Sequence, residues 1–320
     1  MTTPSSAPIA PVTSTRRARR KWRHTDSAVL RSFALSRSVQ AAVVMLVLLL
    51  LGALLAPWLA LQDPFDPAVL ELLDAFTRPG QAGLSGAAYP LGSDDQGRDV
   101  FSAILYGLRM SLLVGGASVA LSLAIGVPLG LVAGYVGGWF DTLVMRVADV
   151  QLTFPVLLVA LLVFGIARGV LPEGYRDDMA LYVIVLAIGL SEWVQYARTV
   201  RGAVMVEKHK DYVLAAQVIG RSRTGILVKH ILPNLLAPVL VIATISFALA
   251  IVAESTLSYL GVGLPPTQPS LGTLIRIGQG FLFSGEWWIL LFPGLVLLAL
   301  ALSVNLVGDW LRDALNPKLQ

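Results

Sequence analysis

The sequence predicts an all-α integral membrane protein with six transmembrane helices, and three observations support this fold class. Of the 320 residues, 56% are hydrophobic, and the mean hydropathy is +0.73. Charged residues make up only 14% of the chain, whereas a soluble domain has about 25%. The apolar residues also form runs that approach or exceed the ~20 residues a helix needs to cross ~30 Å of hydrocarbon.

Six apolar runs qualify as spans. The first has Gln40 as its only strongly polar member, the fourth contains one charge at Glu192, and the fifth continues past Glu254. Trp287 and Trp288 open the last run, as expected of aromatic side chains at a membrane interface. The predicted spans are residues 39–61, a stretch within 110–140, 150–167, 179–197, 231–253 and 287–308.

The distribution of Lys and Arg predicts how these spans are oriented. Eight basic residues precede the first run, and seven lie between the fourth and fifth runs, whereas the 62–108 connection has two against seven acids. Because basic residues are enriched on the cytoplasmic side, we expect both termini and the 198–233 loop to be cytoplasmic. The predicted organisation is a basic cytoplasmic segment 1–38, a first transmembrane helix 39–61, an external acidic loop 62–108, a five-helix core 109–310 that contains the cytoplasmic loop 198–233, and a cytoplasmic tail 311–320.

The most informative stretch is residues 211–233, a polar and basic segment between two apolar runs. It carries an Ala-Ala pair at 215–216, then Gly220, and it ends on a Leu-Pro pair at 232–233. Three other stretches also carry motifs of particular residues at fixed spacing. They are LGSDDQGRDV and YGLRMSL within 91–112, Arg146-x-x-Asp149 with Phe154-Pro155, and LSYLGVGLPP followed by PSLG within 257–272.

Together these stretches resemble the permease subunits of ABC importers for peptides and nickel, in particular their C-type member, over roughly residues 90–315. The resemblance implies the type I ABC importer permease fold in a bacterial plasma (inner) membrane. It also implies partners: a second permease subunit, two cytoplasmic ATPase subunits, an external solute-binding protein and membrane lipid, with no nucleic acid. Leu214, where the family usually has Glu, and His230, where a β-branched apolar residue is usual, depart from the pattern.

The resemblance further implies that the 211–233 segment couples the membrane domain to the ATPase. The residues implied for this coupling are Asp211, Ala215, Ala216, Gly220 and Pro233.

Local physical chemistry supports a short helix at the start of this segment. Asp211 is predicted as its N-cap, because an Asp side chain accepts hydrogen bonds from a first helical turn. Val213, Ala216 and Gly220 then fall on one face, where small residues would let another protein approach closely. The alternative is a solvated loop whose charges only follow membrane topology. The family spacing of Gly220 and the Leu-Pro pair favours the docking helix.

Two carboxylates lie within apolar runs, where an ionisable side chain is costly and often functional. Glu254 is followed by Ser255, Thr256 and Ser258, so its surroundings are polar. Glu254 and Ser258 are therefore candidates for the translocation path, facing a water-filled cavity. The alternative is that Glu254 and Glu192 pair with groups on adjacent helices or lie near an interface.

No motif for covalent chemistry is present in the sequence. The chain has no Cys and contains neither a GxxxxGK[ST] phosphate-binding loop nor an HExxH motif, and its three His lie far apart. We therefore expect no enzymatic activity, no cofactor and no metal in this chain. ATP hydrolysis is expected in separate partner subunits.

The function predicted is that of a permease subunit of an ATP-driven importer. It would form the translocation path for peptides or similar small solutes and couple to the ATPase through the loop around Gly220. The alternative is an ion-coupled secondary transporter that uses Glu254. Such transporters usually show internal repeats with broken helices, and no convincing repeat is visible. A membrane scaffold without transport would leave the 211–233 motif unexplained.

Overall fold

The computed structural model describes residues 33–34, 36–66 and 70–314, so most of the predicted 1–38 segment and the last part of the predicted tail lie outside it. The regular secondary structure of the described residues is helical apart from one hairpin, in which strands β1 (Gln81–Ala82) and β2 (Ala88–Tyr89) pair antiparallel. The helices are α1 (Arg37–Leu54), α2 (Ala56–Leu59), α3 (Val100–Val136), α4 (Gly138–Leu152), α5 (Val156–Val170), α6 (Ala180–Glu207), α7 (Asp211–Val218), α8 (Arg223–Ile226), α9 (Leu232–Tyr259), α10 (Leu271–Gln279) and α11 (Trp288–Ala314).

Five helical stretches among the described residues are long and apolar enough to cross a membrane. They are α1, α3, α6, α11 and the continuous stretch Arg223–Tyr259, which ends in α9. A sixth crossing exists if the bent pair of α4 and α5 counts as one span. The predicted all-α membrane fold is therefore confirmed, and the count of six depends on that pair.

The third predicted span, residues 150–167, is broken rather than straight. Helix α4 ends at Leu152, α5 begins at Val156, and the two axes differ by 98°. Pro155 has no N–H to donate, and its ring disfavours helical backbone angles at Phe154. The prediction of one continuous helix here was wrong, because hydropathy does not register the geometry that proline imposes.

The first span is also shorter than predicted. Helix α1 ends at Leu54, and a separate turn, α2, follows with Pro57 in its first turn. The predicted span ran seven residues further, to 61, because residues 55–61 remain apolar.

Helix α3 begins at Val100, inside the predicted external loop 62–108 and ten residues before the predicted apolar run. Asp99 caps it, accepting hydrogen bonds from the backbone N–H of Ser102 at 2.8 Å and from the Ser102 hydroxyl at 2.6 Å. A side-chain cap of this kind satisfies N–H groups that the first turn leaves free. With 37 residues, α3 is about 55 Å long, so it extends well beyond the hydrocarbon core.

Helices α3 and α6 pack closely through glycines spaced four residues apart on α3. A Cβ atom at Gly126 would lie 2.5 Å from the carbonyl oxygen of Trp193, and one at Gly130 would lie 2.5 Å from that of Ala197. Only glycine allows the two backbones to approach this closely, as in small-residue interfaces of membrane helices. This contact fixes α6 against α3 along its length.

The buried side chains form several clusters that join these helices. One cluster combines α1, α3, α9, α10 and α11, and another combines α3, α5, α6 and α9. A third lies at one end of the bundle, where α7 and α8 pack against α3, α6 and α9. That third cluster positions the segment that the sequence analysis singled out.

Candidate functional site

Helix α7 lies in the middle of residues 208–222, hereafter the 208–222 segment, which connects α6 to α8. Its N-cap is Lys210, which makes no side-chain capping bond, and Asp211 is the first helical residue. The prediction of Asp211 as the N-cap was therefore wrong by one position. Its carboxylate still lies in the first turn, where a negative charge interacts favourably with the positive end of the helix dipole.

One face of α7 is buried against the protein itself. Val213 is 0% exposed and Ala216 is 5% exposed, and both pack in the cluster that contains Ile231 and Leu235 of the following stretch. The prediction that Val213, Ala216 and Gly220 present a common face to a partner is therefore contradicted. A large side chain at Ala216 would disturb this packing before it could affect any partner.

The opposite face of α7 is apolar and exposed. Val218 is 88% exposed, Ile219 is 79% and Leu214 is 46%, and Ala215 also faces outward. Of the predicted coupling residues, Ala215 thus belongs to this surface and Ala216 does not. Val218 and Ile219 were not among the residues predicted for coupling, although the sequence already places apolar residues on the far side of the helix from Val213.

Gly220 ends α7 in a Schellman motif. The N–H of Gly220 donates to the carbonyl of Gln217 at 3.0 Å, and the N–H of Arg221 donates to that of Ala216 at 3.1 Å. This motif requires a left-handed residue at the Gly220 position, where φ is +78°. Nothing lies within 4 Å of where its Cβ would be. Within this chain, the glycine is therefore required by backbone conformation.

Pro233 lies in the first turn of α9 and not in a loop. A π-helical turn, Leu227–Ile231, precedes it directly and links α8 to α9. Proline cannot donate to the carbonyl four residues earlier and its ring clashes with that carbonyl, so a locally wider turn at this point accommodates it. The predicted loop 198–233 thus narrows to residues 208–222, with helix on both sides.

Hydrogen bonds brace α7 against its neighbours. The hydroxyl of Tyr212 donates to the carboxylate of Glu207 at the end of α6, and the side-chain amide of Asn234 on α9 donates to that hydroxyl at 3.0 Å. Lys208 donates to the carbonyl of Gly134 on α3 at 2.9 Å. Burial and the hydrogen bond to Glu207 raise the pKa of Tyr212. These bonds tie α7 to the end of α6 and to α9, and they tie the end of α6 to α3.

A cavity of about 660 Å³ opens beside α7. The ends of α3 and α6 form one wall, and α7 and α8 form the other. The residues that line it are Tyr135, Val136, Lys208, His209, Leu214, Gln217, Arg221, Arg223 and Ile226.

Glu254 is enclosed at the junction of three helices. Its carboxylate on α9 accepts hydrogen bonds from the hydroxyls of Ser258 at 2.7 Å, Ser111 at 2.9 Å and Ser255 at 3.3 Å. Ser111 on α3 in turn accepts from the N–H of Leu271 on α10 at 3.2 Å. Glu254 is 0% exposed and Ser258 is 1% exposed. The expectation that both face a water-filled cavity is contradicted, because their own chain surrounds them, and the structural alternative fits.

Glu192 is also buried within the protein. It is 5% exposed, and its Oε2 atom has no hydrogen-bond partner within the described part of the chain. The two carboxylates predicted from apolar runs therefore have opposite surroundings, since Glu254 is fully hydrogen-bonded and Glu192 is not.

No group of three or more His, Cys, Asp or Glu side chains among residues 33–34, 36–66 and 70–314 is arranged to hold a metal ion. The surface of the 208–222 segment is the candidate functional site. That surface combines an exposed apolar helix face with a basic cavity.

Relatives with assigned names align with most of this chain. It is 38% identical to the dipeptide transport system permease protein DppC of Haemophilus influenzae, over 90% of this chain and 93% of the relative. It is 37% identical to the di/tripeptide transport system permease protein DppC of Pseudomonas aeruginosa, over 91% of both chains. It is 36% identical to the oligopeptide transport system permease protein OppC of Bacillus subtilis, over 92% of this chain and 89% of the relative.

Structural comparison agrees at the level of the fold. A chain of the MetNI methionine ABC transporter in an inward-facing conformation matches with a TM-score of 0.52 and 18% identity, over 67% of this chain and 96% of that one. The predicted type I importer permease fold is thereby confirmed. A family model described as the binding-protein-dependent transport system inner membrane component matches residues 126–320. The chain belongs to this family of permease components of ABC transporters, as the motifs around Gly220 predicted.

Proposed function

We propose that this chain is the membrane-spanning permease subunit of an ATP-driven importer for peptides or similarly sized solutes. Its family membership supports the transport role. The peptide class is supported by relatives named for dipeptide, tripeptide and oligopeptide transport, which align with about nine tenths of the chain. The alternative of an ion-coupled secondary transporter is not supported, because the family depends on binding proteins and Glu254 is enclosed.

The importer also contains a second permease subunit, a paralogue of this chain, two cytoplasmic ATPase subunits and an external solute-binding protein, all held in or at the lipid bilayer. The ATPase subunits hydrolyse ATP, and this chain contributes no catalytic residue. Both termini and the 208–222 segment face the cytoplasm, and the hairpin that contains β1 and β2 faces outward. The excess of Lys and Arg in the cytoplasmic segments supports this orientation.

One observation carries the coupling role: α7 presents Val218 and Ile219 almost fully exposed while its other face is anchored in the protein core. An exposed apolar surface beside polar residues commonly marks a protein interaction site. Because the anchored face connects to α3, α6 and α9, a force applied to the exposed face moves the membrane helices. We assign Leu214, Ala215, Val218 and Ile219 to the surface that contacts the ATPase. Gly220 sets the direction in which the chain leaves it.

The test is a pair of charge substitutions at the exposed face. Val218→Asp with Ile219→Asp should abolish copurification of the ATPase and solute uptake while the membrane domain still inserts and folds. The matched control is Leu84→Asp, an equally exposed apolar residue (84%) in the hairpin at the other end of the bundle. It should leave ATPase copurification unchanged. Normal copurification and uptake with the double variant would remove the basis of the proposed coupling.

The orientation has its own test, which uses the absence of cysteine in the chain. Single cysteines are introduced at Leu84 and Val218, both largely exposed, and the chain is produced without its partners. A membrane-impermeant maleimide should label only the first in spheroplasts and only the second in inverted vesicles. Labelling of both from the same side contradicts the orientation.

A further inference from the structure

The cavity beside α7 has a lining of one charge sign. Among its nine lining residues are Lys208, His209, Arg221 and Arg223, and none is Asp or Glu. Across the described residues, no carboxylate lies within 4 Å of the cationic groups of Lys208, Arg221 or Arg223, although six ion pairs of that length occur elsewhere in these residues. The nearby Glu207 is occupied by Lys210 and Tyr212. Asp141, which pairs with Arg201, also interacts electrostatically with Lys208. Arg221 and Arg223 therefore bring positive charge to the cavity that no carboxylate of the described residues pairs with.

The position of the cavity along α6 distinguishes between possible sources of negative charge. The apolar part of α6 ends at Ala197, and Arg198 follows it. Lys208 lies ten residues further along the chain, about 15 Å at 1.5 Å per residue. The headgroup region extends only about 5–8 Å beyond the hydrocarbon on each side. The cavity thus lies beyond the headgroups, in the space a cytoplasmic partner occupies, so a protein ligand fits better than a phospholipid.

We infer that this cavity receives carboxylate side chains from the cytoplasmic ATPase subunit, next to the apolar face of α7. The inference rests on the proposed function and adds a second, electrostatic element to the same contact. Arg221 and Arg223 lie two residues apart on either side of Ser222, which caps α8 by accepting a hydrogen bond from the N–H of Gly225 at 3.2 Å. Guanidinium groups bind carboxylates through two parallel hydrogen bonds, so this pair is suited to Asp or Glu.

The inferred contact has two parts that respond differently to salt. The apolar face of α7 contributes a term that salt does not weaken, because burial of apolar surface is not screened. The cavity contributes charge pairs at a partly exposed site, which added salt screens over about 10 Å at 0.1 M. Charge pairs of this kind also speed association. The inference therefore predicts an ATPase contact whose salt sensitivity depends on Arg221 and Arg223.

The experiment measures binding of the ATPase that copurifies with the wild-type chain. The importer is reconstituted in nanodiscs of zwitterionic lipid, and ATPase affinity is measured from 50 to 500 mM NaCl. The wild type should lose affinity as salt rises. Arg221→Glu with Arg223→Glu should weaken binding at least tenfold at 50 mM and flatten or invert the salt dependence. Arg221→Gln with Arg223→Gln should fall between the two.

The matched control is Arg312→Glu, an exposed arginine near the end of α11 that makes the same change of charge per site. It should leave affinity and salt dependence unchanged. A zero-length carbodiimide cross-link from Lys208 to an Asp or Glu of the ATPase should form in the wild type and disappear in Lys208→Arg.

The outcomes separate this inference from the proposed function. If Val218→Asp with Ile219→Asp abolishes binding but the arginine variants keep wild-type affinity and salt dependence, the inference fails and the proposed function stands. If the Val218 and Ile219 variant binds normally, the proposed coupling surface itself is wrong. An effect of the arginine variants that appears only when anionic phospholipid is added would identify a lipid headgroup as the occupant and overturn the inference.

Discussion

Two polar segments of this chain, residues 70–99 and residues 208–222, look alike in sequence and differ in how they bury their side chains. Both connect long apolar helices and both are rich in charge. In the 70–99 segment three of the five acids turn inward: Asp74, Asp94 and Asp99 are 1%, 4% and 1% exposed, although Leu72, Leu73 and Leu84 are largely exposed. In the 208–222 segment apolar residues face outward, with Val218 88% exposed.

The 70–99 segment is held by hydrogen bonds to its buried carboxylates. Asp74 accepts from the N–H of Ser85 at 3.1 Å, from the Ser85 hydroxyl, and from the hydroxyl of Tyr89 at 3.1 Å. Asp94 accepts from the N–H groups of Gln96 and Arg98, each at 2.9 Å. These carboxylates thus find donors within the segment itself, although the buried Nε of Arg98 and Oδ1 of Asp99 have no hydrogen-bond partner among the described residues.

The 208–222 segment leaves apolar and basic side chains at its surface. Its helix is anchored on one side and leaves exposed apolar side chains and a cavity lined by basic side chains on the other. The comparison teaches that charge content does not distinguish a self-contained loop from a docking surface. Both segments expose apolar side chains, among them Leu72, Leu73 and Leu84 in the first. They differ in their charged groups: the buried carboxylates of the first segment are hydrogen-bonded within it or to the first turn of α3, whereas Arg221 and Arg223 of the second region have no carboxylate within 4 Å among the described residues.

The largest expected effect on stability comes from removing the carboxylate of Asp74. Asp74→Ala leaves the buried Tyr89 hydroxyl with only its 3.4 Å bond to the Gly97 carbonyl and removes two bonds from the exposed Ser85. A hydrogen bond to a charged group contributes about 1.5–3 kcal/mol. We expect a loss of about 2–4 kcal/mol in the free energy of unfolding in detergent. Asp95→Ala, in the same segment and only half-buried, is the control and should change stability little. An equal effect of both would show that the network around Asp74 is not what holds the segment.

The second effect is a pH dependence that arises from Asp94. Burial raises its pKa from 3.8 to about 6, against the lowering effect of its hydrogen bonds from Arg98 and Gln96. The folded state therefore holds the proton more tightly than the unfolded state, so this contribution is full below pH 4 and is lost as pH rises through 6. The shift corresponds to about 2–3 kcal/mol at 1.36 kcal/mol per pKa unit.

Asp94→Asn should flatten the stability profile between pH 4 and pH 6. Asp99, whose pKa burial also raises, contributes with the same sign and leaves a residual slope. Asp74 acts in the opposite direction: the Ser85 hydroxyl bond lowers its pKa, so its contribution is present above pH 4 and is lost at lower pH. Chemical unfolding at several pH values checks both signs. An unchanged slope in Asp94→Asn would place the titration elsewhere.

The third effect tests the end of α7. Gly220→Val places a β-branched residue at a φ of +78° and should cost about 1–2 kcal/mol. Gly220→Asn should cost only a few tenths, because asparagine tolerates this conformation. If the direction of the chain after α7 matters for docking, uptake should follow the same order. Equal uptake and stability for Val and Asn would mean that the Schellman motif is dispensable.

The smallest effect on stability is expected at the proposed docking surface. Val218→Ala removes a side chain that is 88% exposed, and such surface changes are usually within about 0.5 kcal/mol. Binding of the ATPase should nevertheless weaken several-fold, as measured by copurification. The comparison between the two segments fails if Val218→Ala destabilises the protein as much as Asp74→Ala does.

Much of the architecture could be predicted because it depends on local composition. The apolar runs predicted an all-α membrane fold, and the spacing of Gly220 and the Leu-Pro pair predicted the family. Element ends were predicted less well. Hydropathy missed the break at Pro155 and the early start of α3 at Val100, because proline geometry and the cap by Asp99 act on the backbone and not on polarity.

The sequence by itself determined the all-α membrane fold, the family and the segment that carries the family motif, since these follow from run length, charge and spacing. Only the tertiary structure decided which way each side chain faces. It turned Ala216 inward and Val218 outward on one short helix, and it surrounded Glu254 with serines from three directions. Burial depends on contacts between residues far apart in the chain, such as Ser111 and Glu254, and no local pattern contains that information.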